Sequence, residues 1–283
     1  MSQKIVVGVD GTAEGRAALR WALAWAQNNK AEVQLVNVTD DSMLVVTPDF
    51  KAAALEASEA LLREELAYAK EQDAAATITA LAIVGHPIDE LEKVSHTAAL
   101  LVLGGHHGHR FAGAVFGTRG VKIAAVSQCP VVIVPPEFTV ADPARVVVGV
   151  DGSKAARNAV ATAARVAAGS GAILHTVYAW MPPTAPGLQH LWSSEFVQQQ
   201  EDEAKEALAV GTAGLAADYP DLQITQEIVQ QPPVQALIES AKDAQLLVVG
   251  NRGRGNIARL LLGSVSHGVL QALPCPVMVV HQK

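Results

Sequence analysis

The chain has 283 residues, half of them hydrophobic, and 21 Lys and Arg against 28 Asp and Glu give it a formal net charge of −7. That length suits two domains of ordinary size, each able to bury its own core. The acidic balance argues against nucleic acid or an anionic membrane as partner, because both call for a basic face, and no apolar run approaches the ~18 residues of a membrane helix.

Met1-Ser2-Gln3-Lys4-Ile5-Val6-Val7 leads directly into a strand pattern without the apolar core of a signal peptide, so a soluble, cytoplasmic protein is expected. Ile5 to Asp10 reads as a buried strand. Thr12 caps a helix to about Asn29 that carries Ala18, Leu19, Ala22, Leu23 and Ala26 on one face. A second strand covers Val33 to Thr39, and a helix from about Phe50 to Gln72 follows. Thr77 to Val84 is a third strand, Pro87 opens the next helix, and Leu100 to Gly104 is a fourth strand. A glycine-rich loop, a short helix after Thr118 and a fifth strand, Val131 to Val134, close the series. Strands alternating with helices make an α/β fold with a doubly wound parallel sheet.

The series then repeats. Val6-Val7-Gly8-Val9-Asp10-Gly11-Thr12 returns as Val147-Val148-Gly149-Val150-Asp151-Gly152-Ser153, a spacing of 141 residues, and Cys129-Pro130-Val131 returns as Cys275-Pro276-Val277 at a spacing of 146. Two tandem domains are expected, residues 1–137 and 144–283, joined by Thr139-Val140-Ala141-Asp142-Pro143. The second domain reads as strands at 145–151, 173–179, 222–229, 246–250 and 277–280, with a long helix over 193–217. Its extra residues fall in Trp180-Met181-Pro182-Pro183-Thr184-Ala185-Pro186-Gly187. Trp180 and Trp192 flank that loop, and packing beneath it is the reading preferred to a ligand base. The last strands would be exposed apolar edges unless paired with each other across a pseudo-twofold axis. Cys129 and Cys275 read as small buried hydrophobes with free thiols.

No Asp or Glu occurs from Lys93 to Pro136 or from Ala244 to Lys283, whereas Arg110, Arg119, Lys122, Arg252, Arg254 and Arg259 lie there. Buried elements exclude carboxylates, but that does not account for arginines beside glycines. Leu246-Leu247-Val248-Val249-Gly250-Asn251-Arg252-Gly253-Arg254-Gly255 has the form of a buried strand running into an anion-binding loop. In a parallel sheet the ligand crevice lies beyond the carboxyl ends of strands where their order switches, so Asp151 and Gly250 would face one crevice. Gly250 and Gly253 would admit backbone amides to phosphates. Arg252 or Arg254 would supply charge, and Gly263-Ser264 a helix start.

Gly250, Gly253 and Gly263-Ser264 at this spacing, together with Val-Gly-Val-Asp-Gly-Ser early and Cys-Pro-Val late, resemble the ATP-binding signature of the universal stress protein family. The resemblance spans nearly the whole chain, as a tandem two-domain member. It implies five parallel strands per domain in the order 3-2-1-4-5, helices on both faces, pairing through the fifth strands, and ATP with Mg2+ as cofactor. It also implies a nucleotide-dependent regulator of protein partners under stress, working as a homo-oligomer, a dimer or an intramolecular pseudo-dimer. The site positions implied are Asp151, Val177, Gly250, Arg252, Gly253, Arg254, Gly263, Ser264, Val265 and Ser266, and in the first copy Asp10, Val38, Gly104, Gly105, Gly108, Gly117 and Thr118.

The first copy departs from the signature: His107 stands where the second has Gly253, with Gly108 one residue on. His106, His107 and His109 lack the acidic or cysteine partners that would close a metal sphere. His106-His107-Gly108-His109 also resembles the signature of nucleotidyltransferases and class I tRNA synthetases, but it follows the fourth strand rather than the first. Gly253-Arg254-Gly255-Asn256-Ile257-Ala258 fits a dinucleotide fingerprint, yet no acidic residue follows Asp243 to hold a ribose. Asp10 and Asp151 have two readings, ribose- or magnesium-proximal carboxylates or turn formers at a helix start. No positioned base for water is legible, so an efficient ATPase is not expected, and slow hydrolysis or a nucleotide-independent scaffold are the alternatives.

Overall fold

The computed structural model describes residues 3–42, 47–105, 118–181, 193–253 and 262–281. They form two compact units, one chiefly of residues up to Phe138 and one chiefly of residues from Thr139 onward. In the first unit, β1 (Lys4–Gly8), α1 (Ala13–Asn29), β2 (Glu32–Thr39), α2 (Pro48–Gln72), β3 (Ile78–Val84), α3 (Pro87–Ser95), β4 (Leu100–Gly104), α4 (Thr118–Val126) and β5 (Val131–Val134) follow in order. The five strands are parallel and ordered β3-β2-β1-β4-β5. The second unit repeats this with β6 (Arg145–Gly149), α5 (Lys154–Ser170), β7 (Ile173–Ala179), α6 (Ser194–Thr212), α7 (Leu215–Asp218), β8 (Ile224–Val229), α8 (Pro233–Ser240), β9 (Leu246–Gly250), α9 (Ser264–Ala272) and β10 (Val277–Val280). Its order is β8-β7-β6-β9-β10, again all parallel. Each unit thus has the expected 3-2-1-4-5 order.

Covering helices on the sheet faces explain the strand composition. Val6, Val7, Leu101, Val102, Val147, Val148, Leu247 and Val248 are all buried, as continuous apolar runs in a parallel sheet require. The helices start where their caps place them. Thr12, Thr47, Ser153 and Ser193 accept the backbone N–H of Gly15, Phe50, Ala156 and Phe196, and Pro87 and Pro233 open α3 and α8.

Two local expectations change. The helix expected over 193–217 is broken at Gly214, whose φ of +82° suits glycine alone and separates α6 from α7. The expected linker is held to the second unit: Thr139 donates its hydroxyl proton to the Asp243 carboxylate, and the Ala141 N–H reaches the Asp243 carbonyl at 2.9 Å. Trp180 is buried, in line with a packing role, while Trp192 lies outside the described residues.

Gly104, at the end of β4, packs directly on the first turn of α1. A methyl group there would come within 2.5 Å of the Glu14 carbonyl. Gly169, in the last turn of α5, has nothing within 4 Å of such a methyl. Gly104→Ala is therefore expected to destabilise the protein by about 1–3 kcal/mol in urea unfolding, and Gly169→Ala to stabilise it by roughly 0.5–1 kcal/mol. Equal effects of the two would show that the close approach is not rigid.

Candidate functional site

The order of the strands sets the site. β1 lies between β2 and β4, and β6 between β7 and β9, so the carboxyl ends of the first and fourth strands of each unit open onto one rim. Beyond β6 the chain turns at Gly152, whose φ is +78°, and Asp151 Oδ1 accepts the Ser153 N–H at 2.9 Å. Asp10 makes the same turn, with its Oδ1 accepting from the Thr12 N–H at 3.1 Å and the Thr12 hydroxyl at 2.5 Å. The turn-forming reading of both aspartates is thus realised. It occupies one oxygen of Asp151, while the other points at the glycine loop: a methyl on Gly253 would lie 2.6 Å from Asp151 Oδ2.

That loop is folded back on itself. The Gly263 N–H donates to the Asn251 carbonyl at 2.9 Å, and a methyl on Gly263 would sit 3.4 Å from the Arg252 Cα. Ser266, fully inside, donates its hydroxyl proton to the Gly250 carbonyl at 2.6 Å and ties α9 to the end of β9. Asp151, Gly250, Arg252, Gly253, Gly263 and Ser266 are therefore gathered at one place. Ser264 is exposed at the first position of α9 and Val265 is half-buried beside it.

Two features of this place face a ligand. Gly263 is the N-cap of α9 and has no side chain to cap it, whereas α5 is capped by Ser153. The first amides of α9 thus keep their unsatisfied N–H groups and the positive end of the helix dipole. Beside them, Asn251 Oδ1 and Arg252 Nε are buried without a hydrogen-bond partner. Leaving such groups unpaired costs roughly 1–3 kcal/mol each, more where the group is charged. Asn251 was not singled out by sequence; its only signal is its place between Gly250 and Arg252.

Gly250 has a further reason to be glycine. A methyl there would meet Ala155 Cβ at 2.8 Å and its carbonyl carbon at 2.9 Å, as Gly104 would meet Glu14, so at both positions the close approach of a helix requires glycine. Val177 also serves the frame. It is buried, and its carbonyl accepts the Val150 N–H at 2.8 Å, just as the Val36 carbonyl accepts from Val9 at 2.9 Å. The position matching Val38 in the second copy is Ala179, at the end of β7.

In the first unit the Gly105 N–H donates to the Val134 carbonyl at 2.8 Å, as the Asn251 N–H donates to the Val280 carbonyl at 2.8 Å in the second, and Thr118 opens α4. Gly108, Gly117, His106, His107 and His109 lie outside the described residues, as does Arg254. Sequence did not single out Asp40, just past β2, which takes a 2.9 Å ion pair from Arg119 on α4. Ser42, donating hydroxyl and N–H to Asp40 Oδ1 at 2.6 and 3.1 Å, holds the Asp40 carboxyl below its ordinary pKa of 3.8, aided by Arg119. The thiols of Cys129 and Cys275 are free and buried, and burial pushes them up to about 11 and about 12. Among the described residues no three His, Cys, Asp or Glu converge as a metal cage.

The model of the universal stress protein family matches residues 1–135 and again 144–281. The chain belongs to the universal stress protein family. A universal stress protein of Mycolicibacterium smegmatis is 32% identical over 295 residues, spanning 99% of this chain and 97% of that protein. Universal stress protein Rv2005c of Mycobacterium tuberculosis is 30% identical over 289 residues, spanning 98% and 97%. Among solved structures, that of a universal stress protein from Archaeoglobus fulgidus covers 100% of this chain and is covered to 97%, with a TM-score of 0.74 at 20% identity, a likeness of fold. The tandem architecture is thus shared over the full length of these relatives. No helix among the described residues is long and apolar enough to cross a membrane.

The Asp40 environment in this universal stress protein is testable. Its folded pKa lies below 3.8, so its contribution to stability is fully present above that value and is lost as pH falls through the folded midpoint. An NMR titration of the carboxyl should give a midpoint under 3.8 that moves up in Ser42→Ala. An unmoved midpoint would show that Ser42 does not hold the carboxylate.

Proposed function

We propose that this universal stress protein binds ATP at the glycine loop of its second unit and that the loaded state regulates protein partners under stress. What carries the reading is the uncapped start of α9 beside the buried, partnerless Arg252 Nε. A phosphate oxygen is the acceptor that helix N–H groups and a guanidinium both lack, and it fits them together. Asn251 Oδ1 offers an acceptor to the same ligand, and Asp151 stands across the loop from Gly253. Mg2+ needs only one or two protein carboxylates when phosphates supply its remaining ligands, so Asp151 would serve it without a metal cage. The first unit is proposed as a second site built on Asp10, Val38, Gly104, Gly105, Gly108, Gly117 and Thr118.

The purified protein is expected to release adenine nucleotide on denaturation and to gain thermal stability with ATP and Mg2+. Absence of both would overturn the reading in favour of a nucleotide-independent scaffold. Arg252→Ala removes a charge-assisted donor and should weaken ATP binding roughly tenfold or more. Gly263→Val crowds the Arg252 backbone and should remove one bound nucleotide per chain while the fold is kept. An unchanged count would place the nucleotide elsewhere. Cyclic AMP as competitor tests whether the terminal phosphates are needed.

A further inference from the structure

The two units treat the groove between their first two helices differently. The N-caps Thr47 and Ser193, each bonded to the N–H of a phenylalanine three residues on, fix the register of α2 against α6, so Glu65 corresponds to Gly211, Leu61 to Ala207 and Ser58 to Ala204. On the other wall, Arg16 corresponds to Arg157 and Leu19 to Val160.

In the first unit the groove is filled. The carboxylate of Glu65, almost wholly buried, takes a 3.0 Å ion pair from Arg16 Nε, and the Arg16 guanidinium lies 4.8 Å over the Tyr68 ring. Leu61 packs against Gly11. In the second unit Gly211 removes the carboxylate, and Ala207 and Val160 are smaller than Leu61 and Leu19. Arg157 donates instead to the Gly152 carbonyl at 3.0 Å. The result is a cavity of about 350 Å³ lined by Val150, Ala156, Val160 and Ala207, with the exposed Val210 and Arg157, Glu203 and Glu206 around its mouth. Its size lies within the range of small-molecule sites. Glu203 and Glu206 also line an open groove that continues along α6 past Asp202, Gln199, Gln198 and Glu195. Two carboxylates against one guanidinium, opening onto further carboxylates, leave the mouth negative above an apolar floor.

We propose that this cavity is a binding site, separate from the glycine loop, for a small organic cation: an amine carrying an aromatic or branched apolar body. The body would take the place left by Glu65 and Leu61 in the repeat, against Val150, Val160 and Val210, and the ammonium would lie between Glu203 and Glu206. Glu203 is already oriented by Gln199, which donates to Oε1 at 3.2 Å, and by Gln200, which donates to Oε2 at 3.4 Å. Desolvated apolar contact supplies the affinity and the carboxylates supply the sign of charge.

The experiment uses the full chain saturated with ATP and Mg2+, so that heat from the glycine loop is excluded, and three probes in calorimetry. Phenethylamine carries body and charge, phenylacetate carries the same ring with the opposite charge, and methylamine carries charge without a body. Phenethylamine is expected to bind at least tenfold more tightly than either control. Gly211→Glu restores the first unit's residue opposite Arg157. A methyl at Gly211 meets only Val150 and Val160, at 3.7 and 3.9 Å, so the variant should fold and lose phenethylamine binding. Ala207→Leu fills the floor without charge and should lose binding as well, which keeps the test decisive if Gly211→Glu folds poorly. Glu206→Gln should weaken phenethylamine several-fold and leave phenylacetate no weaker. Phenylacetate binding as well as phenethylamine, or both filled variants binding phenethylamine like the parent, would overturn the proposal.

Discussion

The organisation of each unit depends on one close approach of two backbones. Gly104 at the end of β4 meets the first turn of α1 with no room for a Cβ, and Gly250 meets Ala155 in the same way. The helix that follows the first strand is thereby drawn over the end of the fourth. Its cap residue, Thr12 or Ser153, is in turn fixed by an aspartate at the end of the first strand, and Gly11 or Gly152 supplies the left-handed turn between them. Strand end, aspartate turn, helix start and glycine loop are thus locked to one rim. Any ligand there meets a surface already organised by backbone packing, which lowers the ordering cost of binding.

Around this shared frame the two copies have diverged in their interiors. The first unit buries a polar chain: Ser58 donates to Asn37 Oδ1, Asn37 donates to the Val9 carbonyl, and Glu65 pairs with Arg16. The second has Ala204 in place of Ser58 and Gly211 in place of Glu65. Buried polar networks must be satisfied throughout or they destabilise, and Glu65 Oε2 is left without a partner. The first unit therefore keeps polar specificity at some cost in stability, whereas the second has shed it and holds a cavity. Losing a carboxylate and a leucine side chain from one groove while the flanking Leu62 and Leu208 stay buried is a local change, not a loosening of the whole core.

Much of the fold was legible because its signals are physical at short range. Strands such as Leu100–Gly104 and Leu246–Gly250 are uninterrupted apolar runs ended by glycine, and caps and prolines mark the helix starts. The break at Gly214 was not legible, because the Ala-rich sequence around it has helical propensity on both sides. The site was legible as a set of positions but less so as a set of roles. A glycine in a sequence marks where a side chain is forbidden, not which neighbour forbids it, so the helix packed against Gly104 and Gly250 could not be read from the motif that led to a phosphate expectation there. Ser266 and Val177 hold the loop and the strand end through their own bonds. Asn251 and Asp40 carry no motif at all. Their part follows from which partners the fold denies or supplies to them.

The same comparison of copies bears on how two sites in one chain would differ. At the second site the cation among the described residues is Arg252, within the loop, half-buried and with its Nε unpaired. The matching position in the first copy is His106, outside the described residues, and among the described residues the cation there is Arg119 on α4, at the position of Val265. Arg119 is largely exposed and already spends its charge on Asp40. An anion arriving at the first rim has to compete with that carboxylate, whereas one arriving at the second relieves a buried unpaired donor. An exposed pair of this kind is worth about 0.2–1 kcal/mol, so the competition alone separates the affinities by only a few-fold. Satisfying a buried charged donor is worth more, about 1.5–3 kcal/mol. On the proposed reading, the larger part of any difference between the copies comes from the donor that the second site leaves unpaired, and the smaller part from the carboxylate that guards the first.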